Sequence, residues 1–176
     1  MAWWSSAKSE PKKKNRFLLQ IDSKNQYAVK TVTKPTANVE TKPFKMINHV
    51  YTYPGIVQWD PITVTFVDGA ANGGKVDDTL NTAKNFYKYL TDSGYVVPNK
   101  RSNNKISSPS KSNMNTKVFG NHLEIKLLTP DGKQTIENWK LYNPIITKLS
   151  WGDLSYEDDG FIEYSMDIKY DWAVLS

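Results

Sequence analysis

The sequence predicts a mainly antiparallel β fold with one helix laid across a sheet and extended polar loops. Three observations carry that expectation. Residues 162–172 alternate strictly, with Ile162, Tyr164, Met166, Ile168, Tyr170 and Trp172 on one side and Glu163, Ser165, Asp167, Lys169 and Asp171 on the other. "DPITVTFVDG" (60–69) repeats the pattern on a smaller scale, placing Ile62, Val64 and Phe66 on one face. The period then changes, and Leu80, Ala83, Phe86, Tyr87 and Leu90 fall at helical spacing.

In chain order, residues 1–16 read as a basic N-terminal arm ahead of a single domain at 17–176. Pro11 and the run Lys12, Lys13, Lys14 disfavour regular packing, whereas Trp3 and Trp4 are costly to leave in water. Two readings stand for the arm: it docks on a neighbour, or its indoles rest on their own domain. "RFLLQID" (16–22) and "YAVKTVT" (27–33), separated by polar "SKNQ", make a hairpin-like pattern. "KPTANVETKP" (34–43) has a proline near each end and reads as a loop or irregular edge. "MINHVYTYPG" (46–55) holds β-favouring residues closed by a Pro54–Gly55 turn.

The helix is expected within 77–94, with Asp77 or Asp78 accepting the free N–H groups of its first turn and Gly94 ending it. Residues 98–116, rich in Ser, Asn and Lys, read as a long polar loop. "HLEIKLLT" (122–129) and "TIENWKLYN" (135–143) flank a "PDGKQ" turn as hairpin mates. "PIITKLSWG" (144–152) leads into the final alternating stretch, read as one strand of eleven residues, 162–172.

A chain of 176 residues fits one domain with a sizeable core. Its 12% aromatic content argues against disorder. The net charge of +5 permits acidic partners, but the lysines concentrate in polar stretches that read as solvated flanks. Absence of cysteine excludes disulfides and thiolate metal sites. No apolar run approaches the ~20 residues of a membrane span, so no membrane partner is expected.

Chemistry is hard to find. His49 and His122 sit in strand-like contexts that suit packing or surface roles, and no G-x-S-x-G elbow occurs. "DGAANGGKVDD" (68–78) lacks P-loop spacing, and Asp77 and Asp78 repel an anion. "DLSYEDDG" (153–160) lacks EF-hand spacing and reads as an acidic turn facing solvent or a basic partner. No catalytic residue, cofactor or metal ligand is nominated, and an enzyme is not expected. The rival readings are a basic nucleic-acid-binding module and a small hydrolase using paired carboxylates.

Four segments taken together resemble the tail tube proteins of contractile-tailed bacteriophages, a family similar to the inner tubes of contractile injection systems. They are "NRFLLQI", "YTYPGIVQWDPITVTFVD", "TLNTAKNFYKYL" and "NPIITKLSWGDLSYEDDGFIEYSMDIKYDWA". The resemblance implies an antiparallel β-sandwich or barrel-like tail tube fold. It also implies hexameric rings stacked head to tail in a virion tail assembled in the host cytoplasm. The lumen would conduct the DNA genome during ejection, with transient non-specific contact. Implied partners are the sheath protein, the tape-measure protein, the tube terminator and the baseplate. A tube-initiator or baseplate–tube junction protein is the alternative within the family. On this reading Glu163, Asp167 and Asp171 supply a lumen or inter-subunit face. Trp3, Trp4, Lys12, Lys13, Lys14, Lys100, Arg101 and Lys105 are candidates for contacts between rings or with sheath.

Overall fold

Half-buried strands sort their side chains by alternation, and two such sets meet in the computed structural model, which describes residues 11–68, 82–97, 107–157 and 159–176. One sheet has five strands: β1 (Phe17–Ile21), β2 (Lys24–Gln26), β7 (His122–Leu128), β8 (Thr135–Tyr142) and β11 (Trp172–Leu175), in the order β11-β8-β7-β1-β2. The other has four: β3 (Val29–Val32), β6 (Ile62–Val67), β9 (Ile145–Ser150) and β10 (Glu163–Lys169), in the order β3-β6-β10-β9. Every pairing is antiparallel.

The core forms between these sheets. Ile62, Val64 and Phe66 stand beside Ile168, Met166 and Tyr164, and all six are buried. From the five-stranded sheet, Leu19, Ile21, Leu123, Ile125 and Leu141 join the same cluster. The helix α1 (Thr82–Asp92) inserts Phe86, whose ring meets Phe66 edge-on at 5.3 Å and lies 6.1 Å from Tyr164. The Asp68 carboxylate accepts from the Thr82 N–H at 3.0 Å. The helix ends at Gly94, φ +108, as the sequence predicts. Tyr87, expected on the apolar face, is exposed. The caps proposed at Asp77 and Asp78 lie outside the described residues, as do Leu80, Lys100, Arg101, Lys105, Trp3 and Trp4.

Several expectations need correction. No sheet among the described residues closes into a barrel: both end in edge strands, β11 and β2 in one, β3 and β9 in the other. Residues 16–22 and 27–33 are not hairpin mates. β1 turns back through Asp22 and Ser23, both at positive φ, onto β2, which lies inside the supposed linker, while β3 joins the other sheet. The stretch 34–43, read as a loop or irregular edge, belongs mostly to an edge strand, β4 (Ala37–Met46), paired with β5 (His49–Trp59). Their turn is Ile47–Asn48, and β5 continues past Pro54 with a bulge in which Gly55 and Ile56 stand opposite the single residue Glu40. A proline is tolerated there because each strand of this pair is an edge.

Part of the stretch read as a polar loop is helical. Ser110 caps a short helix α2 (Lys111–Asn113), its hydroxyl accepting from the Asn113 N–H at 3.1 Å, and a π-helical turn follows at Met114–Val118. Val118 and Phe119 then enter the core. The final strand is also two strands. After Lys169 the chain leaves one sheet, and the Asp171 N–H donates to the Tyr142 carbonyl at 3.1 Å as β11 joins the other. The alternation holds from Tyr164 to Tyr170, but Ile162 and Trp172 are partly exposed.

Candidate assembly surfaces

Strands β4 and β5 form a two-stranded sheet whose residues are nearly all exposed. In an antiparallel pair, residues directly opposite share a face. The register sets Lys42 beside Tyr53, Phe44 beside Tyr51 and Met46 beside His49, giving one aromatic stripe. Phe44, Tyr51 and Tyr53 are 47–57% exposed, and the tip residue Ile47 is 96% exposed. At the base, Trp59 packs near Tyr170, with ring centroids 6.0 Å apart. A lone two-stranded sheet is marginal in water. The stripe is therefore suited to burial against another molecule.

The outward face of the four-stranded sheet carries Glu163 and Asp167, as the alternation predicts. Their setting is not purely acidic. Glu163 pairs with Lys30, Asp167 accepts from the Thr63 hydroxyl at 2.7 Å, and Asp167 stands opposite Lys148. Thr31, Thr65, Ser165 and Ser150 fill the positions between. The face is hydroxyl-rich and mixed in charge, with Lys30, Lys148 and the exposed Lys169 beside the two carboxylates. Asp171 does not belong to it. It lies where the chain crosses between sheets, accepting from Lys111 at 2.7 Å and Asn143 at 2.9 Å, and Lys111 holds its carboxyl below the usual range.

On the outer side of the five-stranded sheet, Glu124 is largely buried among Lys126 at 2.9 Å, Lys140 at 3.3 Å and His122 at 3.1 Å. Burial opposes its charge, but the two ammonium groups prevail and lower its pKa. Beside it, Trp172 stacks on Tyr142 with centroids 5.3 Å apart.

A cleft of about 820 Å³ opens between the sheets. Phe17, Val29, Val32, Ile125, Leu127 and Trp139 line it, and Lys12, Lys13, Lys14, Lys30 and Lys34 surround them. Glu137 is the carboxylate of this cleft. It is largely buried and accepts from Lys12 at 2.7 Å, from Lys34 and from the Trp139 indole at 2.7 Å. The Lys12 and Lys34 ammonium groups hold its pKa down to about 2. Of the eight arm and loop residues singled out as contacts, the structure gathers Lys12, Lys13 and Lys14 here. Neither Glu124 nor Glu137 was singled out from sequence. For Glu137 the one signal was its place in alternation with Trp139 and Leu141; Glu124, set between His122 and Lys126, carried none.

Among the described residues no group of three or more His, Cys, Asp or Glu could hold a metal. No helix there is long and apolar enough to cross a membrane. The surfaces define a two-layer β fold with an exposed aromatic stripe and free sheet edges. No family model and no characterised protein matches the sequence. Solved structures do match the fold. A chain of the tube-terminating cap of the anti-feeding prophage is 12% identical, with a TM-score of 0.64, over 94% of this chain and 91% of that one. A chain of the extended sheath–tube complex of the extracellular contractile injection system PVC is 13% identical, with a TM-score of 0.64, over 97% and 94%. A chain of the six-fold symmetrised anti-feeding prophage baseplate is 11% identical, with a TM-score of 0.63, over 94% and 95%. At such identities the fold is what is shared.

Proposed function

We propose that this chain is a structural subunit of a tube in a contractile, phage-like particle, assembling as hexameric rings stacked head to tail. The single observation that carries the reading is the exposed aromatic stripe of β4–β5, which needs a neighbour to cover it. Free edges on both sheets point the same way, since continuing the sheets between subunits removes them. The fold shared with chains from tube, cap and baseplate assemblies supports this role. Its partners are then a sheath, a tape-measure protein, a terminator and a baseplate.

The outer face of the four-stranded sheet, with Glu163 and Asp167, is our candidate for the lumen wall. Its two carboxylates stand among Lys30, Lys148 and Lys169 and are interspersed with hydroxyls, which weakens the hold of those lysines on a passing polyanion such as genomic DNA. Asp171, Trp3, Trp4, Lys100, Arg101 and Lys105 remain candidates for contacts between subunits, rings or sheath. The likeness to cap and baseplate chains favours a second reading, a specialised end component of the tube.

Negative-stain imaging of the purified protein separates these readings. Long hollow tubes identify the main tube subunit and isolated rings an end component. Persistent monomers at high concentration refute both. The variant F44T/Y51T touches no core residue and is expected to stay folded while losing assembly.

A further inference from the structure

The geometry points to a head-to-tail contact in which residues 151–157 of one copy of this chain occupy the lysine-rimmed cleft of another. The proposal rests on the tube reading and names a contact within it. Residues 151–157, "WGDLSYE", carry two acids and no base. They adopt no helix or strand. Leu154 is 83% exposed and Tyr156 fully so. Large apolar side chains left this far in water are unusual unless something covers them.

The cleft offers the opposite character. Its floor of Phe17, Val32, Leu127 and Trp139 is apolar; five lysines line it, of which Lys12 and Lys34 share Glu137 and Lys30 pairs with Glu163 outside the cleft, so the rim stays net basic. A volume of about 820 Å³ accommodates several large side chains. Alternation in an extended chain sets Leu154 and Tyr156 on one side and Asp153 and Glu157 on the other. Laid in the cleft, the apolar pair covers the floor while the carboxylates stay among the lysines. Strand β3 bounds the cleft and is the end strand of its sheet, so an extended peptide can also add backbone hydrogen bonds along it.

The occupant comes from a second copy. The segment is fastened at one end by the Trp151 indole, which donates to the Ala83 carbonyl at 3.5 Å. Just beyond its other end, the Ile162 carbonyl accepts from the Asp68 N–H at 3.3 Å. Neither Ala83 nor Asp68 lines the cleft. Two different patches meeting in this way form a heterologous contact, which closes a ring or extends a filament.

Because the chain has no cysteine, paired substitutions give a direct readout. Tyr156→Cys and Lys14→Cys both fall on exposed positions and leave the core intact. Under mild oxidation the full-length double variant is expected to give a ladder of covalent oligomers on a non-reducing gel, collapsed by reductant. A second pair, Leu154→Cys with Lys34→Cys, guards against one unfavourable disulfide geometry. The yield should fall several-fold at about 1 M salt, where the Debye length is ~3 Å. D153K/E157K in the same cysteine background should lower it likewise. Tubes without a ladder from either pair overturn this contact and leave the tube reading standing. A ladder in small closed oligomers that never form tubes supports the contact and overturns the tube reading. A fast-running monomer with no ladder shows that the segment reaches its own cleft, which overturns the proposal, as does the absence of both tubes and ladder.

Discussion

Replacing Glu137 by Gln measures how strongly one carboxylate ties the edges of the cleft together. Its oxygens are shared by Lys12, which precedes β1, Lys34, which follows β3, and the Trp139 indole of its own strand. The folded chain favours the charged form, holding the pKa at about 2 against an ordinary 4.5. At about 1.4 kcal/mol per pH unit, that gap corresponds to about 3 kcal/mol. Both lysine side chains are half exposed, however, and water screens them, so a net of about 1–2 kcal/mol is expected. The pKa is depressed, so this stability is fully present above 4.5 and is lost as the pH falls toward about 2.

Urea unfolding followed by tryptophan fluorescence, at protein concentrations low enough to keep the chain monomeric, reads the effect. At about pH 6, E137Q should be less stable than the parent by about 1–2 kcal/mol, and near pH 2 the two should converge. Glu124, Asp131 and Asp171 also have lowered pKa values, but they titrate alike in both proteins and cancel in the difference. A difference that stays constant across this range would refute the reasoning, as would a variant more stable than its parent.

Three further outcomes follow from packing and backbone geometry. Phe86→Ala removes a ring with 1% exposure that contacts Phe66, Tyr164 and Trp151, and should cost about 3–5 kcal/mol in thermal or urea unfolding. Phe161→Ala, at an exposed site, should stay within about 0.5 kcal/mol of the parent in the same assay. Gly152→Ala places a Cβ 2.4 Å from the Glu163 carbonyl oxygen at φ +67, a crowded and left-handed position. It should lower stability by about 1–3 kcal/mol, read as a reduced urea midpoint.

What could be read from the sequence followed from where burial occurs. β6 and the stretch from Tyr164 to Tyr170 were legible because each buries alternate residues between the two sheets. β4 and β5 bury almost nothing there, so their prolines were read as loop, edge and turn signals. The break after Lys169 was invisible because Tyr170 and Trp172 continue the alternation although they serve different sheets. α2 was masked by Ser and Asn, residues whose capping role depends on the chain around them. The cleft was out of reach for another reason. Glu137 meets Lys12 and Lys34 across more than 100 positions, and no local pattern encodes that meeting. Glu163 and Asp167 were placed on one strand face correctly, but Lys30 and Lys148, which stand beside them, come from neighbouring strands.

The path of the last strands also sets a timetable for synthesis. β10 lies between β6 and β9, and its partners in β6 are about 100 residues earlier in the chain. Until residues 163–169 leave the ribosome, Ile62, Val64 and Phe66 have no adjacent strand on that side. The β4–β5 hairpin is a local element and can form much sooner, presenting its aromatic stripe while the sandwich is still open. On a nascent chain the residues of the stripe therefore emerge before the sandwich that anchors the hairpin can close. Rapid completion of the final strands, or a chaperone on the hairpin, would decide between orderly subunits and aggregates.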